Sequence, residues 1–202
     1  MIRFFIILLL FINTINCSKA QFDKNHFIYF TSEMNIGNYF GVDLNMNYVY
    51  KNTYSFKIGY TGNIRKHKLQ PDDYTSGVVG FLLFGTENPY DQMENYLFAI
   101  GKIYNLNKYG TVRINLSIGL GYTTIREPYN WEKIDHPHHG ENYSWKYKRY
   151  NTISLIINSK VEFPFTKSFG FTISPMIQVN EDKIYIGIGI GQMIGLLRKV
   201  EN

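Results

Sequence analysis

The sequence predicts an all-β fold, an eight-stranded antiparallel up-and-down transmembrane β-barrel, and three observations carry that prediction. Stretches of about ten residues alternate large apolar side chains with polar or very small ones. A two-residue period belongs to strands, because successive side chains leave a strand on opposite sides. The polar faces are filled with Gly, Ser, Thr and Asn, which suits a crowded lumen behind a lipid-facing apolar belt. Long and short connections also fall on opposite sides of the chain's path, as short periplasmic turns and longer external loops do.

The segments follow in order. His26 to Asn35 sets Ile28, Phe30 and Met34 against Thr31, Glu33 and Asn35. After a turn at Gly37-Asn38, Phe40 to Tyr50 alternates cleanly, with Val42, Leu44, Met46 and Tyr48 opposite Gly41, Asp43, Asn45 and Asn47. Lys51-Asn52-Thr53 turns the chain into Tyr54, Phe56, Ile58 and Tyr60 against Ser55, Lys57, Gly59 and Thr61. Asn95 to Tyr104 is a fourth segment whose two faces the pattern does not separate. Val112 to Tyr122 is the fifth and clearest, pairing Ile114, Leu116, Ile118 and Leu120 with Arg113, Asn115, Ser117 and Gly119.

Thr152 to Phe163 sets Ile153, Leu155, Ile157 and Val161 opposite Ser154, Asn158, Lys160 and Glu162. Phe169 to Val179 keeps Gly170, Thr172, Ser174 and Gln178 on its polar side, and Ile184 to Gly191 alternates isoleucine with glycine. Eleven residues at 3.3 Å rise and 45° tilt cover about 26 Å, the height of an outer-membrane apolar band. The long connections are residues 65–94 and 127–150. Within the first, Gly77 to Gly85 is apolar; as strand it would break the even count of bacterial barrels, so it is assigned to the loop, with ten strands as the alternative.

Composition narrows the class. The 202 residues fit one domain, and 17% are aromatic, mostly Tyr (17) and Phe (15), which suits strands and interfacial belts. The net charge of +5 is dispersed, without the clustered basic face of a nucleic-acid binder. Arg3, the apolar run Phe4 to Ile12 and Ser18-Lys19-Ala20 read as a signal peptide over residues 1–20, cut before Gln21. The barrel domain is then 21–202. Cys17, the one cysteine, leaves with the peptide; lipidation at Cys17 is the rival, against a poor lipobox in Thr14-Ile15-Asn16.

Six charged residues share the polar faces: Glu33, Asp43, Lys57, Arg113, Lys160 and Glu162. Three carboxylates and three cations in phase with the glycines predict a lumen network. On the lipid side each Arg or Lys near the midplane would cost about 2–4 kcal/mol. Eight strands leave an interior just wide enough for side chains, so a plugged lumen is expected.

Asp135-His136-Pro137-His138-His139 makes His136, His138 and His139 the metal candidates. Two of them are sequence neighbours and no second ligand cluster has structural-zinc spacing, so a solvated loop cluster is the plainer reading and no cofactor is expected. Ser144 and His139 share a loop, yet no Gly-x-Ser-x-Gly or His-Glu-x-x-His is present; no catalytic residue is nominated. Tyr129, Trp131, Tyr143, Trp145 and Tyr147 concentrate aromatics in 127–150, as a ligand surface or an interfacial belt.

Gly59-Tyr60-Thr61-Gly62, Pro71-Asp72-Asp73-Tyr74, Asn88-Pro89-Tyr90-Asp91, Leu116 to Arg126 and Ile184 to Leu197 resemble the small outer-membrane β-barrel proteins of Bacteroidetes-type bacteria. That resemblance implies an outer-membrane address and carries over no catalytic residue. The C-terminus departs from the many barrels that end on an aromatic residue, closing instead on Arg198-Lys199-Val200-Glu201-Asn202. The expected function is structural or surface-interacting, with outer-membrane lipid around the belt and an external ligand or protein at 65–94 and 127–150. A rim-active enzyme, a narrow porin-like pathway and a secreted lipocalin-like binding barrel are the alternatives.

Overall fold

The computed structural model describes residues 26–76, 88–135 and 141–198. The signal segment 1–20 with Cys17, the apolar stretch Gly77 to Gly85, and His136, His138 and His139 lie outside the described residues. Among the described residues eight strands run β1 Phe27–Gly37, β2 Phe40–Tyr50, β3 Tyr54–Lys66, β4 Tyr90–Asn105, β5 Arg113–Lys133, β6 Tyr143–Phe163, β7 Phe169–Val179 and β8 Ile184–Leu196. Each pairs antiparallel with its neighbour, and β8 returns to β1 to close the barrel. Closure leaves no free edge, so every strand finds ladder partners on both sides.

The side chains are partitioned inside out. Leu120 and Ile153 point outward, each 61% exposed, while Arg113 and Lys160 are inside at 1%. This reverses a lipocalin-like barrel, whose large apolar side chains fill the interior. The outward belt continues through Phe30, Leu44, Ile58, Phe98, Ile177 and Ile188.

Three elements differ from the sequence expectation. β4 begins at Tyr90 rather than Asn95 and alternates regularly, with Asp91, Met93, Asn95, Leu97 and Ala99 inside and Tyr96, Phe98 and Ile100 outside. Its pattern is hidden in sequence because the lumen here accepts apolar residues. Second, β5 and β6 are 21 residues each, nearly twice the roughly 9–11 that a tilted strand needs to cross. Most of 127–150 is therefore β-hairpin rather than loop. A register shift between Tyr129 and Glu132, with Asn130 at φ 56°, marks a bulge in it.

Third, the lumen is not uniformly polar. Phe27, Tyr29, Val49, Ile103, Met193 and Leu197 form an apolar cluster near the end where β2 turns into β3. Met93, Leu97, Ile125, Ile156, Met176 and Tyr185 form another toward the opposite end. The charged residues sit with Asn, Ser and Thr between them.

Candidate functional site

The lumen charges arise from strand register. Arg113 and Glu162 are direct partners across β5 and β6, and Arg113 Nε donates to Glu162 Oε2 at 2.6 Å. Glu162 Oε1 also accepts from the Tyr29 hydroxyl at 2.8 Å and from Asn115 Nδ2 at 3.1 Å. A second guanidinium nitrogen of Arg113 donates to the Leu197 carbonyl at 2.9 Å, and the guanidinium lies 5.3 Å from the Tyr29 ring centre.

Lys160 forms the second ion pair, with Nζ 2.5 Å from Glu33 Oε1. The same oxygen accepts from the Thr172 hydroxyl at 2.7 Å. Lys57 and Asp43 take neutral partners: Lys57 Nζ donates to Asn158 Oδ1 at 2.7 Å, and Thr61 Oγ1 donates to Asp43 Oδ1 at 2.8 Å. Several of these bonds cross the lumen between strands that are not neighbours, joining β1 to β6 and β3 to β6. Buried charges persist where partners compensate them: four of the six stand in two ion pairs, and Lys57 and Asp43 each keep a hydrogen bond to a neutral side chain.

Glycine on β8 makes the room. A Cβ at Gly189 would stand 2.7 Å from Asn35 Oδ1 and 2.9 Å from Glu33 Oε2. A side chain there would force the Asn35 and Glu33 ends to shift, and glycine leaves the Glu33 carboxylate where it pairs with Lys160.

At the other end lies a charge cluster that sequence reasoning missed. Asp91, 2% exposed, accepts from Arg65 Nε at 2.9 Å, pairs with His67 Nδ1 and has Lys183 Nζ at 3.9 Å. Lys183 also pairs with Glu127, which accepts from the Tyr150 hydroxyl at 3.2 Å. The Arg65 guanidinium covers the Tyr39 ring at 4.4 Å. The signal that would have found it is Asp91, in phase with the lumen residue Asn95, but only once β4 is recognised as strand from Tyr90.

Beyond the barrel mouth, residues 67–76 dock on the β5–β6 hairpin. Asp73 accepts from Lys133 Nζ and from the Tyr143 hydroxyl, both at 2.7 Å. Asn142 Nδ2 donates to the Asp73 carbonyl at 2.7 Å, and its Oδ1 accepts from Thr75 N at 2.8 Å. The Lys133 and Tyr143 donors hold the Asp73 carboxyl below its ordinary range. Tyr74 sits edge-on to Trp131 and Trp145, with ring centres 6.0 and 5.9 Å away, and the two indoles are 5.7 Å apart. Burial, reinforced by the Glu141 carboxylate, pushes the Tyr74 phenol well above its ordinary range.

The five aromatics thus divide. Trp131 and Trp145 contact each other and Tyr74, Tyr143 holds Asp73, Tyr147 lies under Arg126, and Tyr129 is exposed. Ser144 is exposed on β6. Among the described residues no group of three His, Cys, Asp or Glu is placed to hold a metal ion.

No protein-family model matches this chain, and no curated protein matches it. Solved structures do. The N-terminal β-barrel domain of Pseudomonas aeruginosa OprF is 14% identical with a TM-score of 0.51, covering 86% of this chain and 98% of that one. A major outer membrane protein from Thermus thermophilus is 9% identical with a TM-score of 0.49, covering 84% and 99%. Ail, the attachment invasion locus protein of Yersinia pestis, is 12% identical with a TM-score of 0.48, covering 86% and 99%. At such identities the likeness is one of fold. The chain is an eight-stranded up-and-down barrel with the fold of the N-terminal β-barrel domain of OprF.

Proposed function

We propose that this protein is an integral outer-membrane β-barrel with a plugged lumen, serving as a structural and surface-interaction protein through its β5–β6 hairpin and residues 67–76. The observation that carries this reading is the inverted partition, with Leu120 and Ile153 exposed around a ring whose Arg113 and Lys160 are buried. In water such a belt would be an apolar patch far beyond what soluble proteins expose. In a bilayer it is the surface that contacts lipid, and closure satisfies the backbone. Residues 1–20, as a cleaved signal peptide, supply the export this location requires. The motifs quoted above ally the chain with the small barrels of Bacteroidetes-type bacteria.

With the N-terminus of the barrel in the periplasm, the β2–β3, β4–β5 and β6–β7 turns are periplasmic. The long hairpin, the 67–76 loop and the Asp91 cluster then stand on the external side. Aromatic rings and paired charges held there on paired strands suit recognition of an external ligand or protein. Glu33, Asp43, Lys57, Arg113, Lys160 and Glu162 act below as the bolt that fixes the interior.

Two measurements test the proposal. The mature protein should fractionate with outer membranes and require detergent for release; recovery as soluble periplasmic protein would refute the location. In planar bilayers the purified barrel should show no steady conductance. A steady wild-type conductance would refute the plugged lumen.

A further inference from the structure

On the outer face of the barrel, above the apolar belt, Arg126 of β5 and Arg149 of β6 are directly opposite one another in the ladder. Both are exposed. Like charges at directly opposed positions destabilise a strand pair, and among the described residues neither arginine makes an ion pair. Arg126 instead lies 3.7 Å above the Tyr147 ring and donates to Gln92 Oε1 at 3.5 Å. Arg126 and Arg149 line a pocket of about 90 Å³ together with Gln92, Thr124 and the carboxylate residue Glu94. Glu94 is one rung nearer the belt, opposite Thr124 rather than either arginine.

The height of this pair is set by the belt. On β5 the exposed apolar run Leu116, Ile118 and Leu120 ends at Tyr122, and tyrosine at the end of such a run marks the interface between hydrocarbon and headgroups. Arg126 stands four residues beyond Tyr122 on the same face. At 3.3 Å per residue and 45° tilt that is about 9 Å along the membrane normal, within the headgroup layer.

We propose that Arg126 and Arg149 form a site for the phosphate of an outer-leaflet lipid headgroup. A phosphate between the guanidiniums converts their mutual repulsion into two charge-assisted interactions, in the planar geometry that arginine offers to phosphate oxygens. Tyr147 holds the Arg126 guanidinium in place, and Thr124 and Gln92 add neutral polar groups. The site rests on the outer-membrane reading.

The test uses the mature protein in phosphatidylcholine vesicles with and without phosphatidic acid. Native mass spectrometry reads the retained lipid, and thermal unfolding reads stability. Wild type should retain phosphatidic acid over phosphatidylcholine and gain thermal stability from it. The Arg126→Gln/Arg149→Gln double variant should lose that preference by at least about tenfold, whereas Lys167→Gln, in the β6–β7 turn at the opposite end, should keep it. Arg149→Gln alone should be no less stable than wild type in pure phosphatidylcholine, since it removes a repulsion. Undiminished retention by the double variant would overturn the site. So would full displacement of the lipid by inorganic phosphate, which would make the ligand a soluble anion. Failure of the wild type to insert into vesicles would instead refute the membrane reading.

Discussion

The Arg113–Glu162 pair is where the lumen reasoning is most exposed to test. Substituting Glu162→Gln keeps the shape of the side chain and removes its charge. Glu162 accepts from Arg113, Tyr29 and Asn115, and both members of the pair are almost wholly buried. The variant leaves the Arg113 guanidinium buried opposite a neutral amide, and stranding one member of a buried ion pair costs about 3–5 kcal/mol. Arg113→Met strands the carboxylate and should cost a similar amount. Removing both charges together, in Arg113→Met/Glu162→Gln, deletes the uncompensated charge, so the double variant should be more stable than the sum of the single losses implies. The coupling should be at least about 2 kcal/mol. Reversible urea unfolding of the refolded barrel, followed by the electrophoretic shift between folded and unfolded forms, measures each corner of the cycle. Single losses below about 1 kcal/mol, or strict additivity, would refute the view that this pair bolts the lumen.

Three further outcomes follow from the geometry. Ile118→Arg, in mid-belt between Leu116 and Leu120, should cost about 2–4 kcal/mol in lipid; a neutral effect in the same unfolding assay would contradict a lipid-facing belt. Gly189→Val places a Cβ against Asn35 and the paired Glu33 carboxylate, so it should cost about 1–3 kcal/mol through overpacking, read as a lower thermal midpoint. The Asp73 carboxyl, held below its ordinary range by Lys133 and Tyr143, contributes fully above the unfolded carboxyl range near about 4. Its grip on the hairpin should fade as pH falls through the lowered native value. Trp131 and Trp145 are the chain's two tryptophans, so their fluorescence reports this docking. Asp73→Asn should remove the acid-dependent change, and its persistence would place the titrating group elsewhere.

Legibility in sequence tracks what each strand face touches. β2, β3, the lower part of β5, β7 and β8 are readable because lipid on one side and a polar lumen on the other impose strict alternation. β4 is not, because Met93, Leu97, Ala99 and Ile103 belong to the apolar clusters inside the barrel, so both of its faces carry apolar residues. The upper halves of β5 and β6 also hide, since above the belt nothing requires an apolar face and the alternation stops near Tyr122. That is why 127–150 looks like a loop. The Asp91 cluster combines β3, β4, β5 and the β7–β8 turn, and no local spacing connects Arg65, Asp91, Glu127 and Lys183.

By itself the sequence determined the architecture, because a two-residue period with glycine-rich polar faces has few physical solutions other than a closed barrel turned toward lipid. It also determined which face Glu33, Asp43, Lys57, Arg113, Lys160 and Glu162 occupy, because a strand's side chains must alternate. Tertiary structure decided who meets whom. Lys160 reaches Glu33, far away along the chain, because closure brings β6 and β1 to facing sides of one narrow lumen. Arg126 and Arg149 become opposed only once the β5–β6 register is set, and a register is a property of two paired strands that neither carries alone.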